Sequence, residues 1–212
     1  MSSEEILRRS PKQRIVDFWN EIGMLRYTPR SGYFFLGSGK ENVAEHSYRT
    51  AVIGYTLARK IGADPLKTLL LCLFHDLPEA RTGDFNYVNR MYDTSRETEA
   101  FRDAVEGTGL EDELNAVWAE HVDGVSQESI LAHDADQLDF ILNLKRESVL
   151  GNKYAEKWLT SALPRLKTEI ARDLAETVLK TEPDDWWYLE ADKEWWATRG
   201  ECAQICVKSG RN

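Results

Sequence analysis

Cysteine is scarce in this sequence, with three in 212 residues: Cys72, Cys202 and Cys206. So few, so irregularly spaced, exclude a disulfide framework. Cys72 sits inside LLLCLF and reads as a buried small hydrophobe. Cys202 and Cys206 stand four apart with no second Cys or His pair beside them, and read as reduced bystanders rather than a zinc site. Long apolar runs are missing as well. None approaches the roughly 18 residues that span a bilayer, and the start, MSSEEILRRS, has no apolar signal core. A cytoplasmic protein without a membrane partner is expected. Positive charge is in deficit, 27 Lys and Arg against 36 Asp and Glu, a net charge of −9 and a pI near 5.1. That balance argues against a nucleic-acid polymer, whose affinity rests on Lys and Arg neutralising phosphates, but leaves room for a local basic pocket holding one small phosphate. There is no HExxH and no G-x-S-x-G, and GSGK at 37–40 lacks the upstream Gly and following Ser/Thr of a phosphate-binding loop. Internal repeats and low-complexity tracts are absent too.

What is present is helix. Hydrophobic residues make up 42% and charged ones 30%, enough for a globular core. Ser10 and Pro11 open a helix over 11–24 that puts Ile15, Phe18, Trp19 and Ile22 on one stripe. Glycine-rich 25–42 reads as a loop, with YFFLG at 33–37 as a short extended piece. Helical spacing over 43–60 ends at Ile61-Gly62, and Asp64-Pro65 then caps a helix whose run Leu66–Phe74 is apolar all round, the mark of a central element. Residues 81–94 read as an active loop or lid, 95–106 and 111–122 as amphipathic helices, 127–150 as a long helix, and 162–180 as another stopped by Pro183. The expectation is an all-α domain of six to eight helices over 1–212. Its core runs over about 12–180, with a Trp-rich extension at 181–212 whose paired tryptophans close the core or a dimer seam.

All four histidines fall within residues 46–133. The strongest unit is His75-Asp76, because an imidazole and a carboxylate following LLLCLF are costly to bury unless something pairs with them. A divalent ion takes both. His46, in ENVAEHS, lies on the preceding helix, and Asp134, Asp136 and Asp139, in HDADQLDFIL, are the later acids available. Two His and two Asp around a dication leave positions open for water and substrate oxygen. Glu79 lies at i+4 from His75 and i+3 from Asp76, on their face if the helix persists.

The order H…HD…D, with ENVAEHS, FHDLPEARTGD and HDADQLDFIL, resembles the HD-domain metal-dependent phosphohydrolases, and among them the 5′-deoxynucleotidase branch, from about residue 12 to 180. The resemblance implies an HD-domain helical bundle and a hydrolase releasing phosphate from deoxyribonucleoside 5′-monophosphates. His46, His75, Asp76 and Asp136 become ligands of one divalent ion, with Mn²⁺, Co²⁺ or Mg²⁺ favoured and Zn²⁺ or Fe²⁺ as alternatives. Glu79 and Asp84 match the catalytic acids, Arg30 in TPRSGY the arginine that grips the phosphate, and Tyr33 and Glu120 further pocket residues. His121 and His133 fall where binuclear relatives carry extra ligands. A nucleotide is the expected small-molecule partner, and a homodimer is expected by resemblance. The alternatives are another nucleotide phosphoester, cyclic or triphosphate, and a non-catalytic nucleotide- or partner-binding module.

Overall fold

The computed structural model describes residues 9–188. Helices follow one another as α1 Pro11–Ile22, α2 Tyr33–Leu36, α3 Val43–Ile61, α4 Pro65–Phe74, α5 Glu79–Thr82, α6 Asn89–Tyr92, α7 Glu97–Val105, α8 Glu111–Asp123, α9 Gln127–Val149, α10 Lys153–Ala162 and α11 Glu169–Lys180. Two 3₁₀ turns, Gly23–Tyr27 and Leu163–Arg165, complete the chain. Among the described residues there is no strand, only an isolated bridge between Pro29 and Asn42. None of these helices is long and apolar enough to cross a membrane.

Local chemistry sets the starts of the elements that carry the site. Asn42 opens α3 with a reciprocal cap, its side chain accepting from the Glu45 amide while Glu45 accepts from the Asn42 amide. Asp64 accepts from the amides of Leu66 and Lys67 to start α4. Ser126 caps α9 and Thr168 caps α11. The long helix α9 then packs against α3, α4, α10 and α11, burying Leu57, Leu71, Cys72, Leu131, Ala135 and Ile141. A second cluster, Phe18, Leu77, Phe101, Val105, Leu114 and Trp118, seals the α1–α7–α8 side.

Among the described glycines the least room is at Gly54 of α3, where an added Cβ would overlap Cys72 Sγ of α4 and lie 3.3 Å from Thr68 Cγ2. Overpacking costs about 1–3 kcal/mol, and alanine's better helix propensity returns up to about 1. Gly54→Ala is therefore expected to destabilise the fold by about 1–2 kcal/mol in urea melts. Adding Cys72→Ala should recover most of that loss, because it removes the atom met.

Several sequence expectations need correction. Trp19 is exposed rather than on the buried stripe. The buried partner of Phe18 is Arg14, whose guanidinium donates to the carbonyls of Asp103, Ala104 and Glu106 at the end of α7. Residues 33–36 form a helical turn, not an extended piece, closed by Gly37 in the left-handed region (φ 77°). The central helix α4 is apolar all round in sequence, yet Leu66 and Leu73 are exposed. A helix at Lys153–Ala162 was not foreseen; Asn152 caps it by accepting from the Tyr154 and Ala155 amides. Trp186 is exposed and does not close the core. Trp195, Trp196, Cys202 and Cys206 lie outside the described residues.

Candidate metal centre

Three helices deliver four side chains to one point. His46 stands on the first turns of α3, His75 caps the C-terminus of α4 with Asp76 next, and Asp136 sits mid-way along α9. His46 Nε2 lies 3.3 Å from His75 Nε2, 3.2 Å from Asp136 Oδ1 and 3.5 Å from Asp76 Oδ2. His75 Nε2 lies 3.2 Å from the same Asp76 oxygen. Donor atoms bound about 2.1 Å from a shared cation stand about 3 Å apart, so these spacings suit a common ion.

The other ring nitrogens explain the orientation. His75 Nδ1 faces the Cys72 carbonyl at 2.7 Å. A carbonyl only accepts, so Nδ1 carries a proton, and in the neutral ring Nε2 is the nitrogen that offers a lone pair. His46 Nδ1 faces Asp139 Oδ2 at 2.7 Å, which sets the same tautomer. His46, His75 and Asp136 thus form a group able to hold a metal ion, with Asp76 in the same cluster. Among the protein's own charges, burial and Arg30 press the His46 imidazole down, but hydrogen bonds to Asp136 and Asp139 raise it overall to about 10. Burial opposes ionisation of Asp76 and Asp136, yet His75, His46 and Arg30 hold both carboxyls below the usual range.

The three acids left open on α9 separate by partner. Asp134 accepts from the Lys167 amide and from the amide and hydroxyl of Thr168, a structural task at the start of α11. Asp139 is fully buried and holds His46 and Arg49. Asp136 alone turns an oxygen to both His46 and, at 3.9 Å, Arg30.

Around this centre lies a cavity of about 630 Å³, within the range of small-molecule sites. Arg30 lines it, donating to Asp76 Oδ2 at 2.8 Å with Asp84 Oδ1 at 3.8 Å. Asp84 is pinned by Ser31, whose amide and hydroxyl both donate to its Oδ2. Glu79 also lines the cavity, though by a different route from continued helix. Pro78 interrupts the run, α4 ends at Phe74, and a turn in which the Glu79 amide donates to the Asp76 carbonyl (3.1 Å) brings the side chain round. Its carboxyl is buried, Oε2 has no hydrogen-bond partner, and burial followed by the Asp76 and Asp84 charges pushes it up to about 10. Tyr33 lines the wall, and Phe35, Phe85, Phe140 and Trp158 add aromatic surface, Phe140 and Trp158 packing at 6.3 Å between ring centres. Residues 85–88 and Arg90, within the segment read as a lid, form part of the same wall.

Other predicted residues go elsewhere. Glu120 pairs with Lys67 at 2.7 Å and with the Ser126 hydroxyl, so its carboxylate is used at the α4–α9 surface and does not line the cavity. His121 packs its ring against those of His75 and Trp118, and burial followed by His75 lowers it to about 4, leaving a neutral imidazole. His133 turns to Asp134. Among the described residues neither joins a metal-competent group. Sequence reasoning missed Ser31, Glu41, Arg49 and the aromatic wall. Glu41 and Arg49 had no signal beyond their nearness to His46.

Comparison with known proteins places the chain. An HD domain family model matches residues 22–178. A 5′-deoxynucleotidase of Dictyostelium discoideum is 28% identical over 140 residues, 60% of this chain and 74% of that protein. A conserved hypothetical protein from Pyrococcus furiosus matches with a TM-score of 0.66 and 30% identity, over 78% of this chain and 99% of that one. A predicted metal-dependent phosphohydrolase from Magnetospirillum magnetotacticum shares the fold, with a TM-score of 0.60 and 22% identity over 81% of this chain and 92% of that one.

Proposed function

Since the chain belongs to the HD domain family, we propose that it is a metal-dependent phosphohydrolase that acts on nucleoside 5′-monophosphates, deoxyribonucleotides foremost. The observation that carries the reading is the pair of imidazole Nε2 atoms 3.3 Å apart, flanked by Asp76 and Asp136, with each Nδ1 already engaged by another partner. Without a metal, Asp136 and Asp76 answer these nitrogens only when the rings carry a second proton; a shared cation takes the place of those protons and draws all four side chains together. The deoxyribonucleotide preference rests on the Dictyostelium relative.

His46, His75, Asp76 and Asp136 would hold the dication. When bound, it supplies Lewis-acid polarisation of the phosphoryl group and acidifies water. Arg30 offers a planar fork of donors at the cavity wall, suited to phosphate oxygens and to the charge that grows on them during transfer. Glu79, lining the cavity with its carboxyl raised by burial and by Asp76 and Asp84, is the acid that would protonate the leaving 5′-oxygen. Asp84, fixed by Ser31, orients the attacking water. The aromatic wall excludes water and receives the nucleoside.

The test is phosphate release from a panel of deoxy- and ribonucleoside monophosphates, with Mn²⁺ or Co²⁺ and after chelation. Release that requires metal and favours the deoxynucleotides is the expected result. Release from cyclic or triphosphate nucleotides alone would move the substrate, and metal binding without any release would make the domain a binding module.

A further inference from the structure

We propose that Arg49 is a positioning residue for the metal centre: its guanidinium fork locks Asp139 onto His46 and ties that contact to Glu41, and through it to Arg30. The inference rests on the reading that the Nε2 side of His46 binds a dication. Arg49 lies on α3, three residues beyond His46. Its Nε donates to Asp139 Oδ1, and its NH2 donates to Glu41 Oε1 at 2.8 Å. The second oxygen of Asp139 accepts from His46 Nδ1 at 2.7 Å, so one carboxylate joins the guanidinium to the imidazole. Glu41 is further clamped by Asn143 Nδ2, 3.0 Å from each of its oxygens, and its main-chain carbonyl accepts from the Arg30 amide at 3.0 Å. The chain of contacts therefore runs from the phosphate-facing arginine to the metal-facing imidazole without leaving the protein.

Its chemistry also settles which side of His46 takes the ion. Glu41, His46 and Asp139 are close enough together to hold a metal themselves, but Arg49 already occupies an oxygen of each carboxylate. With that guanidinium built in, Asp139 is held against the Nδ1 side of His46, and the Nε2 side is the one turned to His75, Asp76 and Asp136. A lysine could not reproduce this: its ammonium is a point charge without a planar fork.

Substitution separates positioning from bulk charge by sign. A guanidinium that merely added positive charge near the centre would oppose a dication, so removing it would tighten binding. A positioning group has the opposite effect, since loss of a contact that orients a ligand weakens metal affinity about 10–100-fold. The experiment is Mn²⁺ titration calorimetry on the full chain for wild type, Arg49→Lys, Arg49→Ala and the surface control Lys67→Met, with folding checked by circular dichroism. Expected are Arg49→Lys and Arg49→Ala at least tenfold weaker than wild type, the control unchanged, and affinity partly restored to Arg49→Ala by millimolar guanidinium. A folded Arg49→Lys that binds as wild type does, or an Arg49→Ala that binds tighter, would overturn the proposal while leaving the proposed function intact. A wild-type chain that binds no Mn²⁺ would overturn both.

Discussion

Replacing Asp76 by alanine is expected to abolish dication binding and to lower phosphate release from deoxynucleotides by about a thousandfold or more. One oxygen of Asp76 does three things: it stands 3.2 Å from His75 Nε2 and 3.5 Å from His46 Nε2, and it accepts from Arg30 at 2.8 Å. In the proposed centre it would belong both to the ion's cage and to the support of the arginine offered to the phosphate. The loss of a few kcal/mol of transition-state stabilisation suffices for the stated factor, because each 1.36 kcal/mol is tenfold in rate. Asp76→Asn serves as the companion variant. It keeps shape and an acceptor oxygen but drops the charge, so it should fold normally and still fail to bind. Mn²⁺ titration and phosphate release measured on both variants check this, and a folded Asp76→Asn with wild-type turnover would remove Asp76 from the centre.

How far these features could be read beforehand depends on how local they are. The caps at Ser10, Asn42, Asp64 and Ser126 act within three residues of themselves, and the helices they open begin where sequence spacing put them. The α10 helix escaped because Gly151-Asn152 reads as a plain break and its buried positions are mostly small, Ala155 and Ala162 beside Leu159. Periodicity put Trp19 inside and gave no hint of Arg14, since only the carbonyls at the far end of α7, some 90 positions away, make that arginine worth burying. Within the centre, spacing left the three acids of α9 open, and only the resemblance singled out Asp136. Asp136 and Asp139 are three apart and share a face, whereas Asp134 turns toward the α10–α11 connection. What no spacing could show is which of the pair faces His46 Nε2 and which faces Nδ1, a choice made by Arg49. Glu120 failed for a related reason: a resemblance fixed its place along α8 but not its neighbour, Lys67, which takes the carboxylate.

Glu79→Gln is expected to cut turnover by about a hundredfold or more while raising the melting temperature of chelator-treated protein at pH 8. The two effects have one cause. Among the protein's own charges, burial first and then Asp76 and Asp84 push this carboxyl up to about 10, whereas in an unfolded chain a glutamate titrates near about 4.3. Between those values the folded state holds a proton that the unfolded state has released, so this group's share of stability is full below about pH 4.3 and is lost as pH rises toward 10. Glutamine keeps the shape, needs no proton and removes that loss. The gain should be absent at pH 4 and grow as pH rises, reaching at pH 8 at most about 5 kcal/mol, or on the order of ten degrees for a chain of this size. A bound dication lowers the carboxyl's proton affinity, so the gap between variant and wild type should shrink when Mn²⁺ is restored. Metal affinity itself should change little, since Glu79 is outside the four-residue cage. Turnover falls because glutamine has no acidic proton to pass to the leaving oxygen. Thermal melts from pH 4 to 9, with chelator and with Mn²⁺, read the first effect, and kcat for a deoxynucleoside monophosphate reads the second. Unchanged kcat would take Glu79 out of the chemistry, and parallel melts at all pH values would show its charge to be neutralised by a partner. Stability given up at a buried, unpartnered carboxyl is what a site kept for proton transfer requires.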